Sequence, residues 1–158
     1  RFWPENKGRD GCRTPMTWNN KQAHAGFSNN KPWLPVKEKQ LSRSVNLQNE
    51  DPYSVLNFYK EFLSYRKSNV ALSEGDQSFL SNDSDLLIFV RGHKKSKTLC
   101  VFNLNMETYK INISFDFTMD QLMYSGVNIT KNQIELSHNS FIIISDVTAE
   151  IKNFYEIV

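Results

Sequence analysis

The second half of the chain alternates between apolar and polar positions. Leu86, Ile88 and Val90 interleave with Leu87, Phe89 and Arg91, and from Gln77 onward the period is two, the mark of a strand with one buried face. A polar run at 92–97 separates this segment from a buried-type strand over 98–104, so the two predict a hairpin. Tyr109, Ile111, Ile113 and Phe115 alternate with polar residues, and further strands read at 121–124, 133–136 and 140–145 bring the expectation to six or seven short strands. Ser125-Gly126 and Lys131-Asn132 supply turns. The pattern predicts an all-β antiparallel sandwich, or a small Greek-key sheet, over 73–145, followed by a weakly amphipathic tail at 146–158.

Ahead of the strands the period changes. Val55, Tyr59, Phe62 and Leu63 recur at helical spacing with Leu56 beside them, while Lys60, Glu61 and Lys67 fall on the other side. Asp51 is a suitable N-cap and Pro52 suits the first helical position, while Arg66 and Lys67 suit the C-terminal dipole. The predicted helix is 52–67. The first fifty residues follow neither period. All five prolines lie within residues 1–52, and Trp3, Trp18 and Trp33 are all the tryptophans. That spacing of proline excludes a helix or a central strand, and predicts a long irregular segment pinned by aromatics, of the kind that carries function when ordered.

Composition narrows the chemistry. The 158 residues suffice for one domain with an appended segment, and a net charge of +2 argues against a basic nucleic-acid-binding surface. With a mean hydropathy of −0.53 and strictly apolar runs no longer than that at 86–90, no membrane span is expected. The opening residues carry no apolar leader, so a cytoplasmic location is expected. Cys12 and Cys100 are expected as free thiols rather than a bridge. His24, His93 and His138 have no metal-site spacing, so neither metal nor cofactor is expected.

A glycoside-cleaving site needs two carboxylates across one bond. The first fifty residues offer Glu5, Asp10, Glu38 and Glu50; Asp10 sits in a constrained loop and is expected to form a salt bridge with Arg9 or Arg13. Glu74, Asp76, Asp83 and Asp85 read as solvated turn carboxylates, and 94–97 as a solvated basic hairpin tip. No glycine-rich phosphate loop and no G-x-S-x-G elbow occurs. The N-x-S/T sequons at Asn82, Asn112 and Asn128 carry little weight in an Asn-rich chain. The residues themselves show no complete active site.

The informative stretch is Gly8-Arg9-Asp10-Gly11-Cys12-Arg13-Thr14-Pro15-Met16-Thr17-Trp18. Two arginines four apart in a Gly/Pro-restrained loop present donor forks that suit carboxylates, phosphates or sugar hydroxyls. Trp3, Trp18, Phe27 and Trp33 add flat faces suited to sugar rings; the plainer alternative is that Arg and Trp pin the loop together.

This loop resembles the R-D-x-x-R-T-P-M-Q-W element of α-glucosidases in the α-amylase superfamily of glycoside hydrolases. Ala25-Gly26-Phe27-Ser28, Pro32-Trp33-Leu34-Pro35-Val36, Asn46-Leu47-Gln48, Asp51-Pro52-Tyr53-Ser54-Val55-Leu56 and Tyr65-Arg66-Lys67 follow in the order found in maltases and oligo-1,6-glucosidases. Phe2-Trp3-Pro4-Glu5 and His24 before Ala25 look most like the bacterial branch. The resemblance covers about 2–75 and departs from the family at Thr17, where Gln is usual, and at Asn19, where Asp is common.

The resemblance implies an architecture: residues 1–72 end a catalytic (β/α)8 TIM barrel with its substrate-site loop and last helix, 73–145 form the C-terminal β domain, and 146–158 are a tail. It further implies that the catalytic carboxylates lie upstream, so no catalytic residue is expected in this chain. Arg9 is expected to contact the terminal glucose at the non-reducing subsite, with Arg13 the second choice. The implied parent is a retaining exo-acting α-glucosidase that acts on glucosides or short oligosaccharides, whose partner is the upstream barrel of the same enzyme, with no nucleic acid and no membrane. The alternatives are an autonomous carbohydrate-binding module and a non-enzymatic amylase-fold relative.

Overall fold

A computed structural model describes residues 8–81, 86–130, 133–147 and 155–157. The chain divides into two compact units, Arg1–Ser64 and Tyr65–Val158.

The first unit holds two short helices, α1 (Glu38–Leu41) and α2 (Val45–Glu50), and the start of α3 (Val55–Ser68). Its irregular stretch is ordered by backbone bonds that stand in for regular structure. Trp18 and Asn19 both donate their N–H to the Ala25 carbonyl, at 2.9 and 3.0 Å, while the Thr17 and Trp18 carbonyls accept from Val45 and Asn46 at 3.0 Å. Asn46 reinforces the same contact: its Oδ1 accepts from the Asn20 N–H and the Ser44 hydroxyl, and its Nδ2 donates to Asn20 Oδ1. The loop is therefore clamped at its base, where Pro15, Thr17 and Ser44 are buried.

The helix expected at 52–67 begins three residues later than predicted. Asp51 caps a turn instead, its carboxylate accepting from the Tyr53 N–H, and Ser54 is the N-cap, its hydroxyl accepting from the Asn57 N–H at 3.1 Å. Asn57 then ties the helix back to the Gln48 and Asp51 carbonyls. No residue of α3 is buried. Val55, Tyr59 and Leu63, three members of its predicted apolar face, are 68, 58 and 56% exposed.

The second unit begins with the end of α3 and a short helix α4 (Val70–Glu74), followed, among the described residues, by seven strands: β1 (Asp76–Ser81), β2 (Leu86–His93), β3 (Ser96–Asn103), β4 (Tyr109–Ile113), β5 (Leu122–Ile129), β6 (Gln133–Ile144) and β7 (Tyr155–Ile157). All described pairings are antiparallel, in the order β1-β2-β3-β6-β4-β7 with β5 along the other side of β6. Strand β6 organises the sheet. Its C-terminal half pairs with β3 (Leu99↔Ile144 to Asn103↔Ser140) and its N-terminal half with β4 (Tyr109↔Leu136 to Asn112↔Gln133). The sheet thus curls around the long β5–β6 hairpin, and Ile88, Leu99, Val101, Ile111, Ile134, Leu136, Ile142 and Ile144 from both halves meet in one core.

Two predicted boundaries dissolve. Ser125-Gly126 lies within β5 rather than in a turn, and the irregularity is a bulge on β6, whose residues 137–140 lie opposite Gly126 alone. Gly126 has φ +69°, and a Cβ there would stand 2.9 Å from the Ser140 Cβ, so glycine is required for the strand to run on. For the same reason the runs at 133–136 and 140–145 are one bent strand. Lys131-Asn132 lies outside the described residues.

Where β6 exchanges β3 for β4, its carbonyls lose their ladder partners. Asn103, fully buried, fills the gap: its Nδ2 donates to the Leu136, Ser137 and Glu107 carbonyls at 3.1, 2.8 and 2.7 Å, and its Oδ1 accepts from the Asn105 N–H. The outer face is capped by α4, whose Ala71 and Leu72 are buried. Gly75 ends α4 where a Cβ would stand 2.7 Å from the Gly92 carbonyl oxygen, so the helix-to-strand crossing needs a bare backbone.

Candidate functional site

The arginine loop lies wholly in the first unit. Arg9–Cys12 forms a single 3-10 turn, closed by the Cys12 thiol donating to the Arg9 carbonyl at 3.1 Å. Arg9 and Arg13 are exposed, and neither guanidinium makes a hydrogen bond or ion pair with another described residue. The salt bridge expected from Asp10 does not form with either arginine: among the described residues the one ion pair is Lys110–Glu135. Asp10 Oδ2 instead accepts from the Trp33 indole N–H at 2.9 Å. A neutral N–H takes the carboxylate, and two charged forks are left facing outward.

Trp33 also lines an open cleft of about 470 Å³ with His24, Lys31, Asn20 and Gln22 among its polar members. The cleft floor includes Ala25, which is buried in the left-handed region at φ +56°, next to His24 at +51° and Gly26 at +68°. Two successive non-glycine residues in that region cost on the order of 1 kcal/mol each, and the double acceptor role of the Ala25 carbonyl holds them there. No period of the sequence marks this run; only the Gly26 hinted at it.

The two departures from the glucosidase pattern have structural partners. Thr17 is buried, its hydroxyl donating to the Gln40 carbonyl, and Asn19 Oδ1 accepts from the Lys21 N–H in a local turn. Trp18 and Phe27 are exposed; Trp3 and Glu5 lie outside the described residues. Glu38, Glu50, Glu74 and Asp76 are all exposed, and no group of three His, Cys, Asp or Glu among the described residues could hold a metal ion. Among the described residues no helix is long and apolar enough to cross a membrane. Both cysteines are free.

The family model "Alpha amylase, catalytic domain" matches residues 2–75. Those residues are a segment of the α-amylase catalytic domain. The matched span contains the arginine loop, the cleft and the whole of α3. Among curated relatives of this amylase-family segment, a probable alpha-glucosidase of Rhizobium meliloti (strain 1021) is 46% identical over 106 residues, 67% of this chain and 19% of that protein. An oligo-1,6-glucosidase of Bacillus cereus is 29% identical over 134 residues, covering 82% of this chain and 24% of that protein. The chain thus spans about a fifth to a quarter of the length of these relatives.

Among solved structures, the alpha-glucosyl transfer enzyme XgtA superposes with a TM-score of 0.72 at 30% identity, over 92% of this chain and 28% of its own. The trehalulose synthase MutB from Pseudomonas mesoacidophila MX-45 superposes with a TM-score of 0.68 at 25% identity, over 87% of this chain and 26% of its own. The likeness extends past residue 75, so the curled antiparallel sheet after the amylase segment is the C-terminal β domain that the resemblance implied.

Proposed function

We propose that this chain is the C-terminal portion of a retaining exo-acting α-glucosidase that hydrolyses α-glucosidic bonds of maltose or short oligosaccharides in the cytoplasm. In that enzyme an upstream Asp attacks the anomeric carbon to form a glucosyl-enzyme, and an upstream Glu protonates the leaving oxygen and then activates water. Residues 1–72 complete the barrel and 73–145 are its β domain. Arg9 hydrogen-bonds the hydroxyls of the non-reducing glucose and so orients the scissile bond, with Arg13 beside it. The upstream barrel is the partner, and no cofactor takes part.

The observation that carries this reading is the pair of exposed guanidinia on a loop clamped at its base, neither taken up by another described side chain although Asp10 is their neighbour. The relatives' names, alpha-glucosidase and oligo-1,6-glucosidase, supply the substrate class. The test joins residues 1–158 to the upstream barrel of the Rhizobium meliloti relative and measures cleavage of p-nitrophenyl α-glucoside. The joined enzyme turns over, and Arg9→Ala raises its KM. Turnover by residues 1–158 alone, abolished by Arg9→Ala, would overturn the assignment of the catalytic acids to the upstream chain.

The Trp33 cleft gives the alternative, an autonomous carbohydrate-binding module, its one favourable observation. That reading requires saturable binding of maltose by residues 1–158 in a calorimetric titration.

A further inference from the structure

We infer that Trp33 is a positioning residue for Arg9, acting through Asp10; the inference rests on the reading of Arg9 as the group that holds glucose. Asp10 follows Arg9 in the turn Arg9–Cys12. Among the described residues, the bond from Trp33 Nε1 to Asp10 Oδ2 is the one hydrogen bond that ties this turn to a distant part of the unit, across 23 residues of chain. Among the described residues, the only other side-chain bond of the turn, from Cys12 to the Arg9 carbonyl, is internal to it.

The position of Trp33 is not explained by burial, since the side chain is 63% exposed. Pro32 and Pro35 restrict the backbone around it, so the indole edge is offered to Asp10 by a stiff segment. An indole N–H is a donor only and carries no charge. It satisfies a carboxylate oxygen without drawing in a second ion. Asp10, adjacent to one guanidinium and three residues from the other, is otherwise their natural partner. With Oδ2 held by Trp33 and no ion pair between Asp10 and either arginine, both forks stay available for sugar hydroxyls. Trp33 thus has two effects: it fixes the turn that presents Arg9, and it keeps Asp10 from capturing Arg9 or Arg13.

The test uses the enzyme formed by joining residues 1–158 to the Rhizobium meliloti barrel, with p-nitrophenyl α-glucoside as substrate. Trp33→Phe keeps an aromatic ring and removes the N–H. It raises KM roughly three- to tenfold, the loss of one positioned hydrogen bond, and leaves kcat within about twofold. In an Arg9→Ala background the same change has no further effect on KM, because the residue it acts on is gone. A purely structural role for Trp33 gives an effect that persists in that background. If Arg9→Ala raises KM but Trp33→Phe does not, or the two effects add, the inference falls while the Arg9 reading stands. If Arg9→Ala leaves KM unchanged, the reading beneath it falls as well. A second measurement is independent of catalysis: in residues 1–158, Asp10→Ala shifts the Trp33 indole proton resonance upfield, and an unmoved resonance overturns the inference.

Discussion

Asn69 Nδ2 stands 2.8 Å from Ser145 Oγ, joining the residue after α3 to the residue after β6, 76 positions later. The same amide reaches Thr98 Oγ1 at 2.9 Å, and its Oδ1 caps α4 by accepting from the Leu72 N–H. The Tyr65 hydroxyl meets Ser145 Oγ from the last turn of α3, and burial raises the Tyr65 pKa above its ordinary range. Four polar side chains thus seat the helix end and α4 on the outer face of β3 and β6.

Asn69→Ala removes a helix cap and two half-buried donor contacts together. The expected loss is about 2–3 kcal/mol of stability in the second unit. Urea denaturation followed by circular dichroism measures it, and a loss below about 0.5 kcal/mol would show that the cluster is incidental.

Asn103→Leu leaves the buried Leu136 carbonyl and the part-buried Ser137 and Glu107 carbonyls without their side-chain donor. Although Leu is close in size, the expected cost is about 2–3 kcal/mol, because the buried Leu136 carbonyl and two part-buried carbonyls lose their partner together. The same urea measurement checks it; a neutral result would mean that water replaces the amide at the bend.

Stability of the second unit falls as pH rises above about 9. Burial lifts the Cys100 thiol from its ordinary 9.0 to about 12. Between those values the unfolded chain ionises and the folded one does not, so the unfolded state binds fewer protons and is favoured as pH rises. Below 9 the contribution is fully present. Burial also raises the Tyr65 pKa above its ordinary value of 10.0, so that group acts in the same sense. Urea midpoints between pH 8 and 11 test this, and Cys100→Ala flattens the lower part of the slope. At pH 8 a thiol reagent modifies exposed Cys12 quickly and Cys100 only after unfolding.

The uncovered face of α3 makes residues 1–158 self-associate and bind a hydrophobic dye. Replacing Val55, Tyr59 and Leu63 together by Glu, Lys and Glu abolishes both and changes stability by less than about 1 kcal/mol, since none of the three is buried. Sedimentation and dye fluorescence check this; association that survives the triple change would place the sticky surface elsewhere.

Local spacing was enough to reveal the α3 period, the β2–β3 hairpin and most strand positions, because periods of 3.6 and two are set by backbone geometry within a few residues. The order of Arg9, Arg13, Ala25-Gly26-Phe27 and Trp33 was enough to point to the α-amylase family, whose catalytic-domain model matches residues 2–75. What only the tertiary structure decided depends on partners far apart in the chain. Asp10 faces two arginines in sequence but bonds an indole 23 residues away, Gly126 reads as a turn until four residues of β6 are seen opposite it, and Asn103 looks like a polar strand residue until the carbonyls of β6 are left open beside it. Each of these turns on satisfying a buried or charged group, a requirement that no local pattern of hydrophobicity encodes.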